Sequence, residues 1–314
     1  MTAVVSRAQI VKRLKPGLAA LMGKEYARYA GQYQQIFNTK KSEKSYEEML
    51  MTVGLGLGAV KNEGGEILLD AVSDGFTART VHSTIGLGFV LTEEAIEDNL
   101  YESKADVLGG ALARSMAETK EMLAASVLNN AFDSGTPIGD GVALCSASHP
   151  LNNGSTVSNT VAADISETAL KNALTAIRTT FVDDRGLKIK VGARKLVVSA
   201  TDAFTAYELL KSDLSTSTVT NSTTGVTNTN NINSLRAGGL FPEGHMVYDY
   251  LTDQDSWFIM TDCEDNALIH WQRRPLKIDM DYRDPYTGNI VTTATERYSF
   301  MAGNWRGVYG SSGA

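Results

Sequence analysis

The chain has 314 residues, 43% of them hydrophobic and 21% charged, and its formal net charge is −7. A chain of this length forms one or two domains with a sizeable core, and its two cysteines, Cys145 and Cys263, are too few for a secreted disulfide framework. The acidic balance argues against a basic-patch nucleic-acid binder, and the sequence has neither the apolar run of about 18 residues that a membrane span needs nor a recognisable secretory signal.

The charge is distributed unevenly along the chain. Residues 1–46 carry nine basic and two acidic side chains, a net charge of +7, which leaves −14 for the remainder. This asymmetry predicts a basic N-terminal arm on an acidic body. An amphipathic helix with a solvated basic face is the alternative interpretation.

Two segments that follow, 52–59 and 81–89, share a T-x-G-L-G pattern. Apolar residues alternate with glycine in both, and this period of two predicts strands whose glycine face is approached closely by another backbone. We expect the two strands to pair at the base of a long excursion. Because an isolated two-stranded excursion is marginally stable in water, it should lie against something else, such as a neighbouring subunit.

A long helix is predicted from Thr92 to about Phe132. Thr92 is a suitable N-cap, and carboxylates fill the first turns, where the helix dipole favours them. These carboxylates belong to Glu93, Glu94, Glu97 and Asp98. Apolar residues then recur at spacings of three, four and seven, which is typical of an amphipathic helix.

The second half of the chain mixes helices and strands and predicts an α+β protein. A Gly/Ser/Asn-rich loop covers 133–164, and residues 212–234 form a polar tract without a core, with seventeen Ser, Thr or Asn among its twenty-three residues. A helix is predicted to start at the capping-box pattern Asp164–Glu167 and to bury an apolar face, and a further helix is predicted over 202–210. The apolar face consists of Leu170, Leu174, Ile177 and Phe181. Strands are predicted over 195–200, 257–260, 276–283 and 296–308.

Motifs for enzymatic chemistry are weak throughout. Residues 17–25 depart from the phosphate-loop spacing, and residues 279–283 resemble the start of a calcium loop but place Arg283 where an oxygen ligand belongs. We therefore predict no catalytic residues, no cofactor-binding residues, no metal ligands and no cofactor. One alternative remains, because Cys145 and His149 lie four residues apart and suggest a thiol nucleophile with its base, as in a hydrolase.

A string of short motifs from about residue 140 to the C-terminus resembles the Mu-like major head subunit family of tailed bacteriophages. The motifs are Cys145–Leu151, Gly154, Ser158-Asn159, Ser166–Ala173, Asp184–Gly186, Lys195–Ser199, Ala206–Lys211, the asparagine-rich stretch, Trp257–Met260 and Arg297–Arg306. The order of elements, with an arm, an excursion, a long helix, an α/β region and C-terminal strands, is similar to the tailed-phage capsid fold of Hong Kong 97 type.

The resemblance implies an N-terminal arm over 1–46, an extended β-hairpin loop over 47–91 and an axial domain over 166–265. Residues 92–165 and 266–314 would form the peripheral domain, which contains the long spine helix. A protein of this kind is a major capsid protein that is not an enzyme. It assembles into hexamers and pentamers of an icosahedral shell enclosing double-stranded DNA.

The expected partners are further copies of the chain, a separate scaffolding protein, a portal and a decoration protein, with no membrane and no sequence-specific DNA contact. The expected location is the virion, after synthesis in the cytoplasm of the bacterial host. Two alternatives to a capsid subunit stay open at this point. One is another phage structural subunit of a tail tube or sheath, and the other is the Cys145/His149 hydrolase.

Overall fold

The computed structural model describes residues 23–29, 31–92, 94, 101–221, 225–263 and 267–314, with the backbone alone for 101–106, 215–221, 225–231 and 280–283. The chain divides into two compact units. The first consists of the described residues within Met1–Tyr46, Val81–Ala124 and His270–Phe300, and the second of those within Glu47–Thr80, Ala125–Ile269 and Met301–Ala314. No helix in the described ranges is long and apolar enough to cross a lipid bilayer.

Strands and helices alternate along the described chain. The helices are α1 (Tyr101–Asn129), α2 (Glu167–Thr180), α3 (Ala203–Lys211) and α4 (Ser234–Ala237). The strands are β1 (Asn38–Lys41), β2 (Tyr46–Val53), β3 (Ser73–Val81), β4 (Ser83–Leu91), β5 (His149–Pro150), β6 (Thr156–Val157), β7 (Thr160–Val161), β8 (Ala193–Val198), β9 (Leu214–Asn221), β10 (Gly225–Ile232), β11 (His245–Val247), β12 (Trp257–Thr261), β13 (Leu268–Arg283), β14 (Ile290–Ala302) and β15 (Val308–Ser311).

The first unit is built on a four-stranded sheet in the order β1-β13-β14-β4. Helix α1 buries Leu112, Ala113 and Met116 against Ala294 of β14. Leu112 and Met116 are four residues apart and lie on one face of α1, as the sequence pattern predicts, with Ala113 beside them, whereas Val107 of the same pattern is 72% exposed. Further apolar side chains pack around this cluster, namely Tyr26, Ile85, Phe89, Leu276 and Ile278.

The glycines of β4 explain its pairing with β14. A Cβ atom on Gly88 would lie 2.6 Å from the carbonyl oxygen of Thr292, and one on Gly86 would lie 3.2 Å from a methyl group of Thr295. Strand β14 runs antiparallel to β4 from Ile290, opposite Leu91, to Tyr298, opposite Ser83. The predicted close approach of another backbone is therefore confirmed for this segment.

The predicted pairing between segments 52–59 and 81–89 is wrong. Strand β2 ends at Val53 and pairs with β3, whereas β4 joins the four-stranded sheet. The alternation of leucine and glycine continues past Val53 but has no backbone beside it, since a Cβ atom on Gly58 would meet nothing within 4 Å. A strand needs a hydrogen-bonded neighbour as well as a period of two, and residues 54–72 have none.

Helix α1 confirms the long helix but ends earlier than predicted. Its last residue is Asn129, whose side-chain amide donates to the carbonyl oxygen of Tyr250 and whose side-chain oxygen accepts from the backbone N–H of Thr252. Asn129 belongs to the second unit, as these partners do, and the N–H of Asn130 still donates to the carbonyl oxygen of Ser126 at 3.0 Å. Of the predicted N-terminal carboxylates, Glu93, Glu97 and Asp98 lie outside the described residues.

The second unit contains a five-stranded mixed sheet in the order β11-β8-β12-β15-β7. Strands β8 and β12 are buried along most of their length, as predicted for continuous apolar runs. Helix α2 begins after Ser166, whose hydroxyl oxygen accepts from the N–H of Ala169, so the N-cap is Ser166 and not Asp164, the first residue of the predicted capping box. The predicted apolar face of α2 is buried in the core, with Leu170, Leu174, Ile177 and Phe181.

Residues 212–234 are more regular than the predicted polar tract. Strands β9 and β10 form an antiparallel two-stranded sheet in continuous register, from Leu214 opposite Ile232 to Asn221 opposite Gly225. Threonine and valine favour extended backbone, and this preference is compatible with strands even where no apolar face exists. The absence of a hydrophobic pattern therefore concealed a β-hairpin.

His270, in the first unit, is expected to make stability depend on pH. Its side chain is 1% exposed, Nδ1 shares a 3.3 Å hydrogen bond with the hydroxyl of Thr39, and burial together with the charge of Lys120 lowers its pKa from 6.5 to about 4. Between these values the unfolded chain binds a proton that the native protein does not, so stability is lost as pH falls from 6.5 to 4. The loss amounts to about 3 kcal/mol.

Urea unfolding of the dissociated subunit between pH 7 and pH 4 measures this loss. In His270→Gln the decrease should be smaller by about 3 kcal/mol, because glutamine does not titrate. Equal decreases in the wild type and the variant would show that His270 is protonated at the same pH in both states.

Candidate functional site

The segment between β2 and β3, which we call the extension (residues 54–72), carries many uncovered apolar side chains. Val60 is 93% exposed, Leu69 is 91% exposed and Leu57 is 77% exposed. Four more large apolar residues of the extension are also exposed, namely Leu55, Ile67, Leu68 and Val72. Contiguous apolar surface of this kind on a folded protein marks a binding surface.

A polar clasp joins the two ends of the extension. The carboxylate of Asp70 accepts from the backbone N–H of Gly56 at 2.7 Å and from Arg185 Nη1 at 2.5 Å. Arg185 Nη2 also donates to the carbonyl oxygen of Ala71 at 2.6 Å. The Gly56 hydrogen bond, followed by that of Arg185, holds the pKa of Asp70 below its usual value. Residues 57–69, which lie between the two ends that the clasp joins, carry most of the exposed apolar side chains.

Arg185 lies in a tight turn between Asp183 and Leu187. Gly186 has φ +84° and donates its N–H to the carbonyl oxygen of Asp183, and the N–H of Asp183 in turn donates to Leu187. A residue with a side chain is strained at this φ, so glycine is the residue that closes the turn. The sequence predicts this turn, but the partner of Arg185 is 115 residues away and no local pattern reveals it.

A buried ion pair anchors the same turn to the core of the second unit. Arg306 Nη2 lies 2.7 Å from Asp184 Oδ1, with both side chains 4% exposed, and Arg306 Nε donates to the carbonyl oxygen of Val182 at 2.7 Å. The guanidinium group also lies 4.5 Å from the ring centroid of Trp305. The turn that carries Arg185 is therefore fixed on both sides of Asp183.

Asn159 organises the loop that contains the predicted cysteine–histidine pair. Its amide nitrogen donates to the carbonyl oxygens of Leu144, Trp305 and Val308 at 2.8, 3.3 and 3.0 Å. Its side-chain oxygen accepts from the N–H of Ser146 at 2.8 Å. These partners fix the orientation of the amide, so its oxygen faces the loop.

Both ring nitrogens of His149 have oxygen partners within this network. Its Nε2 lies 3.0 Å from the side-chain oxygen of Asn159, and its Nδ1 lies 2.6 Å from Asp140 Oδ2. The imidazole stacks on Trp305 with 4.6 Å between ring centroids, and it is 0% exposed. Both ring nitrogens face oxygen acceptors, so neither is left to accept a proton from a thiol.

The hypothesis of a Cys145/His149 nucleophile pair is therefore wrong. Cys145 is 3% exposed, and burial raises the pKa of its thiol, which keeps it in the unreactive protonated form. A Cβ atom added to Gly310 would lie 2.6 Å from the Cys145 sulfur, which shows how closely β15 packs against it. Cys145 fills space, and His149 ties its loop to the core.

In the first unit, residues 23–28 of the predicted basic arm lie against a buried ion pair. Lys120 of α1 contacts the carboxylate of Glu296 on β14, and the two side chains are 6% and 1% exposed. Lys120 Nζ donates to the hydroxyl of Tyr26 at 2.5 Å and lies 4.9 Å from the ring centroid of Tyr298. Burial, and then the charge of Glu296, raises the pKa of Tyr26. Tyr26 thereby anchors the segment at 23–28.

The remaining candidate motifs give no site in the described residues. Most of the phosphate-loop-like segment 17–25 lies outside them, and Asp279 pairs with Lys277 at 3.1 Å. The described part of the chain contains no group of three or more His, Cys, Asp or Glu side chains arranged to hold a metal ion. The contacts that sequence reasoning missed, at Asp70, Lys120 and Glu296, all join residues far apart in the chain.

Comparisons with known proteins give a matching family and solved structures with a similar fold. A family model described as "Phage capsid protein" matches residues 77–311, about three quarters of the chain. A comparison with curated protein sequences found no match.

Solved structures with a similar fold are particles and shells. A virus-like particle from Pyrococcus furiosus has a TM-score of 0.52 at 10% identity, and the match covers 94% of this chain and 97% of that one. The procapsid of bacteriophage JBD30 has a TM-score of 0.53 at 12% identity, with 98% and 76% covered. The capsid of a native GTA particle has a TM-score of 0.51 at 12% identity, with 88% of each chain covered.

Proposed function

From the premise that this chain belongs to the phage capsid protein family, we propose that its copies assemble as hexamers and pentamers into an icosahedral shell that encloses double-stranded DNA. The chain is a phage major capsid protein, and the α+β capsid fold that the resemblance implied is confirmed. The family decides against the alternative of a tail tube or sheath subunit. The short motif Cys145–Leu151 supports placing the chain within the Mu-like group of this family.

The observation that carries the proposal is the apolar extension. Fully burying one Leu, Ile or Val side chain contributes about 1.5–3 kcal/mol, and the extension exposes seven of them. The clasp of Asp70 and Arg185 holds the two ends of the extension against the second unit, so the apolar side chains are presented outward. A neighbouring subunit in a shell is the partner that covers this surface in every copy.

We assign the segments of the chain to the parts of a capsid subunit as follows. Residues 1–46 act as the arm, 47–91 as the extended loop, 92–165 and 266–314 as the peripheral domain with α1 as its spine, and 166–265 as the axial domain. The contact of Tyr26 with Lys120 supports an arm that leaves from a fixed point on the first unit. The net charge of +7 on 1–46 suits an arm that lies on the acidic body of a neighbour.

The charge of the body suits a container for DNA. Residues 47–314 carry a net charge of −14, and like charge repels the phosphates of enclosed DNA. We expect the shell to hold DNA without sequence-specific contacts, to assemble with a separate scaffolding protein, a portal and a decoration protein, and to be made in the host cytoplasm. The finished protein is located in the virion capsid.

Polar substitution of the extension tests the proposal. We expect Leu57→Ser/Ile67→Ser/Leu69→Ser to reduce the yield of shells by about tenfold or more when it is co-expressed with scaffold, because assembly loses several buried side chains. The free energy of unfolding of the dissociated subunit should change by no more than about 0.5 kcal/mol per site, since all three side chains are exposed. Sedimentation velocity and negative-stain microscopy measure the yield.

Tyr286→Ser is the matched control, because Tyr286 is 96% exposed but lies outside the extension. Shells from the triple variant at wild-type yield would contradict the role of the extension. A wild-type chain that stays monomeric with its scaffold, or forms helical tubes, would contradict the shell itself.

A further inference from the structure

The hairpin of β9 and β10 exposes two strand edges that lack the usual protection against pairing. Residues 214–232 contain no Asp, Glu, Lys, Arg or Pro. Charged residues, proline and bulges are the devices by which natural proteins keep strand edges from pairing with other chains. The register of β9 and β10 runs through eight consecutive residue pairs without a bulge. Within the described chain the hairpin is a sheet of its own, so neither outer edge has a third strand beside it.

The root of the hairpin is rigidly held. Asn233 is 3% exposed, and its amide nitrogen donates to the carbonyl oxygens of Leu209 and Ser212 at 2.7 and 3.0 Å. Arg236 donates to the carbonyl oxygen of Lys211 at 2.5 Å. These contacts join the hairpin to α3 and α4, so every copy of the chain presents it from the same root.

The hydrogen bonds at the root also identify which backbone groups point outward. The N–H of Asn233 donates to the carbonyl oxygen of Asp213, its opposite residue in the continued register. In an antiparallel pair, hydrogen-bonded and non-hydrogen-bonded positions alternate. The outward N–H groups therefore belong to the even-numbered residues, which are Leu214, Thr216, Thr218 and Thr220 of β9 and Val226, Asn228, Asn230 and Ile232 of β10.

We propose that β10 of one subunit pairs antiparallel with β9 of the next, so that the hairpins around a capsomer axis close into one continuous ring of β-strands. This inference rests on the proposed function, which places identical copies around such axes. Strands β9 and β10 of each hairpin run in opposite directions. A neighbouring hairpin in the same orientation therefore places its β9 antiparallel to the β10 beside it. Head-to-tail contacts of this kind close into rings under rotational symmetry, and a closed ring leaves no edge exposed.

A second copy of the chain fits this surface better than another partner. Main-chain hydrogen bonds make strand addition largely independent of side chains, which suits a segment made mostly of Ser, Thr and Asn. An isolated two-stranded hairpin is marginally stable in water, whereas pairing on both outer edges satisfies the backbone groups of every copy. The same uncharged, proline-free segment would be prone to aggregate if its edges stayed open.

Hydrogen exchange of single amides, in assembled shells and in dissociated subunits, tests the pairing. We expect the outward amides of Thr216, Thr218, Asn228 and Asn230 to exchange at least about tenfold more slowly in shells, because they gain partners there. Equal exchange in the two states would overturn the inference while shells still form, so the proposed function would stand. Protection that appears only after a second protein binds to the finished shell would also overturn it.

A proline substitution in β9 is the second test of the pairing. Thr218→Pro removes an outward N–H without breaking a hydrogen bond inside the hairpin, and edge strands tolerate proline at such positions. We expect about a tenfold lower yield of shells with unchanged melting of the dissociated subunit. Thr218→Val keeps the N–H and the β-branched shape, and it should assemble like the wild type. Shells of Thr218→Pro at wild-type yield would overturn the inference.

Discussion

Arg306→Met is expected to lower the free energy of unfolding of the dissociated subunit by about 3–5 kcal/mol. The substitution keeps most of the volume but leaves the Asp184 carboxylate, 4% exposed, without its charged partner. It also removes the donor to the carbonyl oxygen of Val182. Urea denaturation followed by circular dichroism measures the change.

Arg185→Met is the matched control, because it breaks the neighbouring ion pair with Asp70 at the surface. There the side chains are 27% and 35% exposed, and such pairs contribute about 1 kcal/mol or less. The double variant Arg306→Met/Asp184→Leu should recover part of the loss, since no unpaired charge remains buried. A loss for Arg306→Met as small as that for Arg185→Met would show that Asp184 is solvated.

Lys120→Met is expected to destabilise the first unit by a similar amount, about 3–5 kcal/mol. It leaves the carboxylate of Glu296, 1% exposed, in the interior without the ammonium group that contacts it. It also removes the donor to the hydroxyl of Tyr26, so the segment at 23–28 loses its anchor. Assembly should therefore fall further than stability alone predicts, which sedimentation velocity of the refolded variant with scaffold would show.

Arg114→Met, on the same helix, is the control for Lys120→Met. Arg114 pairs with Glu118 at 3.6 Å, with side chains 58% and 51% exposed, and a helical surface pair contributes about 0.3–0.5 kcal/mol. An equal free energy of unfolding for Lys120→Met and Arg114→Met would show that water solvates the pair of Lys120 and Glu296.

Elements whose pattern is local were predicted well from the sequence. Helix α2 buries the apolar face from Leu170 to Phe181 that its spacing predicts, and it begins two residues after the predicted capping residue Asp164. Strand β12 is a short apolar run, and all five of its residues are buried inside the sheet, as such a run predicts. The absence of an assembled catalytic motif in the sequence also agrees with the structural role of the family.

Elements whose partner is distant in the chain were predicted poorly. The glycines of β4 indicate a close backbone, but the choice of β14 over the segment 52–59 depends on which strand the sheet brings alongside. The hairpin at 214–232 has a continuous register, but its sequence lacks the hydrophobic period by which strands are predicted. Cys145 and His149 are neighbours in sequence, yet His149 is turned to Asp140 and Asn159.

Helical and strand periodicity, the glycine positions and the division into a segment of net charge +7 and a body of −14 can all be read from the amino-acid sequence. These properties depend on neighbouring residues and on composition. The contacts of Asp70 with Arg185, of Arg306 with Asp184, and of Lys120 with Glu296 and Tyr26 become visible in the folded chain alone. All of these pairs join residues that are distant in the chain, so only packing brings them together. For Arg306 with Asp184 and for Lys120 with Glu296 burial adds a second reason, because a buried charge is tolerated only beside its partner.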